Sequence, residues 1–213
     1  MKKIRDAVSL LRLGGVIAFP TESSYGLGAD ATNTQAVRAV FELKRRPAEK
    51  SFPLIVSSLT MAQRFGIFSP RLLHLAKRFW PGPLTIILPA RQPTLLASSL
   101  IGADGTIALR VSSHPLARSL ARQLKKPIVA TSANLAGERP CFSVEEIRAQ
   151  LGLGEGQILD GGRLEERVAS TMVREEDAGG PTKLQLLERR GRRLVVVREG
   201  RINANAIALF EDN

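Results

Sequence analysis

Val16-Ile17-Ala18-Phe19-Pro20-Thr21-Glu22-Ser23-Ser24-Tyr25-Gly26-Leu27-Gly28 opens on four apolar residues and continues into small hydroxyl residues and glycines. A short apolar run bounded by turn residues reads as a buried strand over 16–19. Residues 20–31 then read as a loop. Helical spacing follows over 34–43 through Val37, Val40 and Phe41, with Thr32 or Asn33 as the cap. Strand, small-residue loop and helix in this order are a unit of an α/β sheet whose backbone a ligand can approach closely. Gly26-Leu27-Gly28 with Ala31 also fits a loose G-x-G-x-x-A dinucleotide fingerprint. However, residues 46–51 lack the strand-end acid that would hold a ribose.

Upstream, Ile4, Ala7, Val8 and Leu11 recur at helical spacing, and Gly14-Gly15 closes that helix. Downstream, strands are expected over 54–56, 84–88, 106–111 and 127–131, and helices over 70–80, 115–124 and 143–151. Pro115 suits a first helical turn, and Ser143 followed by Glu146 is a capping-box signature. Further strands are expected over 169–173, 184–187 and 194–197. Arg189-Arg190-Gly191-Arg192-Arg193 joins the last two as a hairpin turn, and a helix closes the chain over 202–210. No internal repeat or long linker interrupts the pattern. Residues 1–213 are therefore expected as a single α/β domain, with helices packed on a largely continuous, twisted, mixed open sheet.

The one cysteine, Cys141, cannot form an internal disulfide. His74 and His114 lack ligand-like spacing, so no transition-metal site is expected. No apolar run approaches the roughly 18 residues a bilayer requires, and the charged start is not followed by a signal-peptide core. The expectation is a soluble, cytoplasmic protein. The net charge of +11 favours polyanions such as nucleotides, RNA or acidic partners. Aromatic residues, at 5%, are too few for the stacking platforms common in single-strand binders.

Two further stretches suggest a basic concave pocket. In Lys44-Arg45-Arg46-Pro47, the residue before proline is pushed out of helical geometry. Lys44 is thus expected to end a helix and Arg46 to be extended, both aimed at one anion. Arginine offers phosphate a planar fork and lysine a point charge. In Ala130-Thr131-Ser132-Ala133-Asn134, hydroxyl and amide groups stand at the carboxyl end of a buried strand, where ligands of open α/β sheets gather. The plain alternatives are a solvated basic helix end and a loop bonding to itself. There is no G-x-x-x-x-G-K-[ST] motif, no arguable Ser-His-Asp set, and no strand-end carboxylate except Glu22. This disfavours a hydrolase and a P-loop ATPase.

In this order, Pro20-Thr21-Glu22-x-x-Tyr25-Gly26-Leu27-Gly28, Lys44-x-Arg46-Pro47 and Ser132-x-Asn134 resemble the YrdC/Sua5/TsaC family, and in particular its short-form L-threonylcarbamoyladenylate synthases. Trp80-Pro81-Gly82-Pro83-Leu84-Thr85, Ile107-Ala108-Leu109-Arg110, Ser170-Thr171 and Val197-Arg198-Glu199-Gly200 extend the resemblance over about residues 14–198. It implies a YrdC-like fold and a reaction of L-threonine, bicarbonate and ATP giving threonylcarbamoyl-AMP and pyrophosphate, which feeds t6A37 modification of tRNA. It implies Lys44 and Arg46 as catalytic, and Lys44, Arg46, Ser51, Thr106, Ser132, Asn134 and Arg198 at ATP. Ser23, Arg110, Ala130 and Ser170 are implied at threonine. It also implies Mg2+ bridging phosphates, no protein-bound metal, contact with tRNA or double-stranded RNA, and t6A transferase proteins downstream.

The sequence departs from the family in places. Ser23-Ser24 stands for a usual Thr-Val, Thr131 for a common Pro, and Ser57 or a neighbour for a threonine-contacting His. Lys50-Ser51-Phe52-Pro53 reads as two residues longer. The competing readings are a non-catalytic RNA-binding or ribosome-maturation module, resting on charge and the Arg189 to Arg193 turn, and a paralogue adenylating another carbamoyl group. Accessory acylphosphatase and zinc-finger segments are not seen, which counts against the latter.

Overall fold

The computed structural model describes residues 2–46, 51–177, 188–189 and 192–211. In chain order the elements are α1 (Lys2–Arg12), β1 (Ile17–Pro20), β2 (Tyr25–Gly28), α2 (Thr34–Lys44), β3 (Leu54–Ile55), α3 (Leu59–Phe65), α4 (Pro70–Phe79), β4 (Leu84–Pro89), β5 (Thr106–Arg110), α5 (Pro115–Leu124), β6 (Ile128–Val129), β7 (Thr131–Ser132), α6 (Val144–Leu151), β8 (Thr171–Asp177), β9 (Glu188–Arg189), β10 (Arg192–Arg198) and α7 (Ala204–Glu211). The chain is a mixed α/β protein with an open mixed sheet.

Side-chain alternation sorts the interior into two cores. Ile17, Phe19, Ile55 and Ile128 enter one apolar cluster, and Ala18, Leu54, Val56 and Val129 enter the other. Successive strand residues face opposite sides of a sheet, so these strands are buried on both faces and read as unbroken apolar runs. On one side α1 packs against α5. Ile4, Ala7, Val8 and Leu11 meet Ala117, Leu120, Ala121 and Leu124 there. The larger core takes Val37 of α2, Leu75 of α4, Ile147 of α6 and Ile207 of α7.

Seven strands form a mixed sheet in the order β6-β3-β5-β4-β8-β10-β9, and β1-β2-β7 form a second, antiparallel sheet. The expected continuous sheet is therefore divided. The division lies at Ala130, whose N–H donates to Pro53 O at 2.9 Å while Thr131 and Ser132 pair with β2. The single strand expected over 127–131 is thus two short ones in different sheets.

Residues 20–31, expected as a loop, contain β2. A Cβ on Gly28 would lie 2.6 Å from both the Phe19 ring and Val129 O. The strand is glycine-rich because it is wedged against neighbouring backbone, and the same composition makes it resemble a loop. Helix α3 was not expected either. It has only seven residues, and it holds through burial of Met61, Ala62 and Phe65 and a Ser58 cap that accepts from Met61 N–H rather than through a long periodic pattern. The strand expected over 169–173 begins at Thr171 and extends to Asp177. The strand expected over 184–187 and residues 190 and 191 of the arginine-rich turn lie outside the described residues. The flanking β9 and β10 do pair antiparallel. Among the described residues no helix is long and apolar enough to cross a membrane.

Candidate active site

Helix α2 ends with its apolar face in the core, and this carries Lys44 inward. Lys44 is 2% exposed. Its Nζ donates to Ser132 O at 2.6 Å, Asn134 O at 2.8 Å and Asn134 Oδ1 at 3.0 Å. Three donors meet three acceptors, which is the full capacity of an ammonium. Burial, and secondarily the nearby Arg46 charge, push its pKa down to about 8. Lys44 and Asn134 therefore stand behind the cavity wall, where the lysine ties down the loop that carries Ser132.

Arg45 adopts the left-handed conformation at φ 51° and ψ 43°, which reverses the chain and separates Arg46 from its neighbour. The two cations expected to aim at one anion point to different places. The Arg46 guanidinium lies 5.0 Å over the Phe52 ring, and Phe52 stacks on Phe41 at 4.2 Å. Arg46 Nε is buried without a hydrogen-bond partner among the described residues. A ring face holds the guanidinium without consuming its donors. Phe52→Leu is expected to weaken binding of inorganic triphosphate by about five-fold, and Phe52→Tyr should behave as the parent; titration calorimetry with that anion checks this.

Arg110 ends β5 and is 7% exposed. Its Nη1 donates to Glu22 Oε1 at 2.8 Å, and Ser112 Oγ donates to Glu22 Oε2. Glu22 comes from the tip of the β1–β2 hairpin, which Thr21 shapes by donating from Oγ1 to Ser24 O at 2.7 Å. On the opposite wall Thr85 Oγ1 and Ser170 Oγ are 2.8 Å apart. Arg198 Nη2 donates to Ser170 O at 2.8 Å and to Ser170 Oγ at 3.2 Å. The pairing of β10 with β8 shifts register between Val196 and Arg198. Such a bulge re-aims a side chain, and here it coincides with Arg198 reaching the cavity. Burial first, and then the Arg110 charge, lower the Arg198 pKa.

These side chains surround one cavity of about 310 Å3. Arg46, Arg110, Arg167 and Arg198 line it, and among the described residues no aspartate or glutamate does. Ser23, Ser51, Ala130, Ser132 and Ser170 also line it. Thr106 does not: it begins β5 while Arg110 ends it, about 13 Å further along an extended strand. Its hydroxyl donates to Asp104 Oδ1 at 2.7 Å. Ser57, which with its neighbours stands about where a histidine is expected from the family resemblance, lies off the cavity, with its Oγ 3.7 Å from Met61 Sδ. Lys50 lies outside the described residues.

Thr85 and Arg167 were not among the expected residues. Thr85 sits inside an apolar strand pattern. Arg167 sits in a charged stretch that carries no motif, and it pairs with Glu165. The thiol of Cys141 is buried, which pushes its pKa up to about 11. It is a packed core residue and a poor nucleophile.

The family model for the Sua5/YciO/YrdC domain, described as "Telomere recombination", matches residues 9–189. The chain belongs to this family. A threonylcarbamoyl-AMP synthase of Aliivibrio fischeri is 36% identical over 84% of this chain and 97% of its own. The Bacillus subtilis protein of the same name is 40% identical over 86% of this chain and 55% of its own. Among solved structures, Escherichia coli YciO superposes with a TM-score of 0.77 at 28% identity, covering 97% of this chain and 93% of that one. The P. abyssi Sua5 complex with L-threonine gives 0.73 at 35% identity, covering 80% of this chain and 50% of that one. This chain thus spans about half the length of that Sua5. The Sua5/YciO/YrdC match includes every wall of the cavity except Arg198, which lies beyond residue 189.

Proposed function

We propose that the protein is a threonylcarbamoyl-AMP synthase, a nucleotidyltransferase that makes threonylcarbamoyl-AMP and pyrophosphate from L-threonine, bicarbonate and ATP for t6A modification of tRNA. The observation that carries this reading is a single cavity with four guanidiniums, a pair of hydrogen-bonded hydroxyls and, among the described residues, no lining carboxylate, in a chain whose relatives bear that name. Such a wall suits a triphosphate beside an amino-acid carboxylate.

In the reaction, a carbamate oxygen of N-carboxythreonine forms a bond to the α-phosphorus of ATP. The bond from that phosphorus to the bridging oxygen breaks, and pyrophosphate leaves with the electron pair. No enzyme nucleophile is required; alignment and charge neutralisation supply the rate. Arg46 and Arg198 hold the phosphates, with Ser51 and Ser132 beside the nucleotide. Arg110 takes the threonine carboxylate, and Ser23, Ala130 and Ser170 shape the remainder of that subsite. Lys44 and Asn134 support the wall from behind. Mg2+ bound with the phosphates would add charge neutralisation, and a lining of hydroxyls and guanidiniums with no carboxylate among the described residues fits a metal that substrate and water would hold rather than protein ligands.

The product is a reactive mixed anhydride, so a t6A transferase bound to its tRNA has to take it before water does. On this reading the protein works in the cytoplasm. Pyrophosphate release with ATP and bicarbonate should depend on L-threonine. Release at the same rate without threonine would falsify the assignment.

A further inference from the structure

Glu22 is a carboxylate beside a cavity that, among the described residues, is lined only by cations and neutral groups. Its side chain is 5% exposed, and that of its partner Arg110 is 8% exposed. It does not line the cavity, whereas Arg110 does. Its two oxygens are divided: Oε1 accepts from Arg110 Nη1 and Oε2 accepts from Ser112 Oγ. Ser112 is fully buried, and its Oγ also accepts from the His114 backbone N–H at 3.1 Å. The carboxylate is therefore anchored at two points, by the hairpin tip that carries it and by Ser112 in the turn after β5. A guanidinium has five N–H donors in a rigid plane, and Glu22 engages one nitrogen of it.

We propose that Glu22 is a positioning residue that holds Arg110 from behind, so that the remaining edge of the guanidinium is fixed toward the carboxylate of the amino-acid substrate. The inference rests on the assignment of Arg110 to threonine made above. Three features support it. A bare guanidinium in this position would be a buried, uncompensated cation. Arginine has long rotamer freedom that must be lost before it can bind a ligand in one geometry, and a buried anchor removes that freedom in advance. Arg46 and Arg198, by contrast, are held by a ring face and by Ser170, which leaves their charge uncompensated for phosphate. The two halves of the cavity are thus tuned differently: Arg110 is paired with a carboxylate where it meets a monoanion, and Arg46 and Arg198 have no carboxylate partner among the described residues where they meet a polyanion.

The test is L-threonine and ATP titration calorimetry, together with steady-state kinetics, on Glu22→Ala, Glu22→Gln, Ser112→Ala and Arg110→Ala. Glu22→Ala is expected to weaken L-threonine binding by about ten-fold or more and to change ATP binding by less than about two-fold. Glu22→Gln retains an oxygen toward Nη1 and should recover most of the loss. Ser112→Ala releases the second oxygen and should weaken threonine binding about three-fold. Equal losses for both substrates in Glu22→Ala would make the residue merely structural and overturn the proposal. So would unchanged threonine binding in Glu22→Ala and Ser112→Ala while Arg110→Ala loses it. Unchanged threonine binding in Arg110→Ala would instead remove the assignment of Arg110, and this inference with it. If Glu22→Ala does not fold, Ser112→Ala decides alone.

Discussion

Arg46→Ala is expected to lower kcat/KM for ATP by about 100-fold or more while leaving the thermal midpoint almost unchanged. The magnitude follows from removing a preorganised cation from the cavity wall, where one such donor is worth about 3 kcal/mol in the transition state. Stability is spared because the Arg46 guanidinium is held by one stacking contact and its Nε is already unpartnered. Arg46→Lys should recover only part of the loss, since an ammonium has neither the planar fork nor the stacking face that Phe52 accommodates. Initial rates at varied ATP and fixed threonine measure the effect, and differential scanning calorimetry measures the stability. An Arg46→Ala enzyme with normal ATP kinetics would refute the phosphate role.

Lys44→Met should behave differently although it lies only two residues away. The substitution keeps the length and apolar stem but leaves Ser132 O, Asn134 O and Asn134 Oδ1 without their shared donor. Buried acceptors left unpaired cost about 1–3 kcal/mol each, and some of these will find water. A net loss of about 3 kcal/mol lowers the midpoint by roughly 6–12 °C in a chain of this size, and turnover falls with it because Ser132 loses its fixed position. A loss of activity with no loss of stability would mean that Lys44 faces the substrate after all.

The same lysine predicts a pH dependence. Its folded pKa of about 8 lies below its ordinary value of 10.5. Between these two values the unfolded chain binds more protons than the folded one, so this group makes stability rise with pH there. A neutral amine keeps only two donors for three acceptors, so the Ser132–Asn134 loop loosens over the same interval. Activity should therefore fall above about pH 8 while the contribution of Lys44 to stability does not. A pH–rate profile set beside pH-dependent melting separates the two, and Lys44→Met should lose this limb of the profile.

The helices were legible wherever one face is apolar and an end is marked. Ile4, Ala7, Val8 and Leu11 predicted α1, and Pro115 marked the first turn of α5. Ser143 capped α6, though Glu146 reaches the N–H of Phe142 rather than that of the cap residue. Gly26 and Gly28 misled because a glycine needed for close packing looks the same as a glycine needed for a turn. At the site, residue types were easier to foresee than directions. Lys44 and Arg46 look like a pair in the sequence, but a single left-handed residue between them sends one behind the wall and one onto it.

The sequence by itself determined the α/β class, the family, and several of the arginines and serines that line the cavity. These depend on local pattern and ordered motifs, which survive without coordinates. Only the tertiary structure decided that the sheet divides at Ala130, that Thr106 stands at the far end of its strand, and that Thr85 and Arg167 join the wall. It also decided that Glu22 pairs with Arg110, 88 positions away along the chain. Contacts over such separations are set by how strands cross and which edge of a side chain is left free, and no spacing along a single chain encodes that.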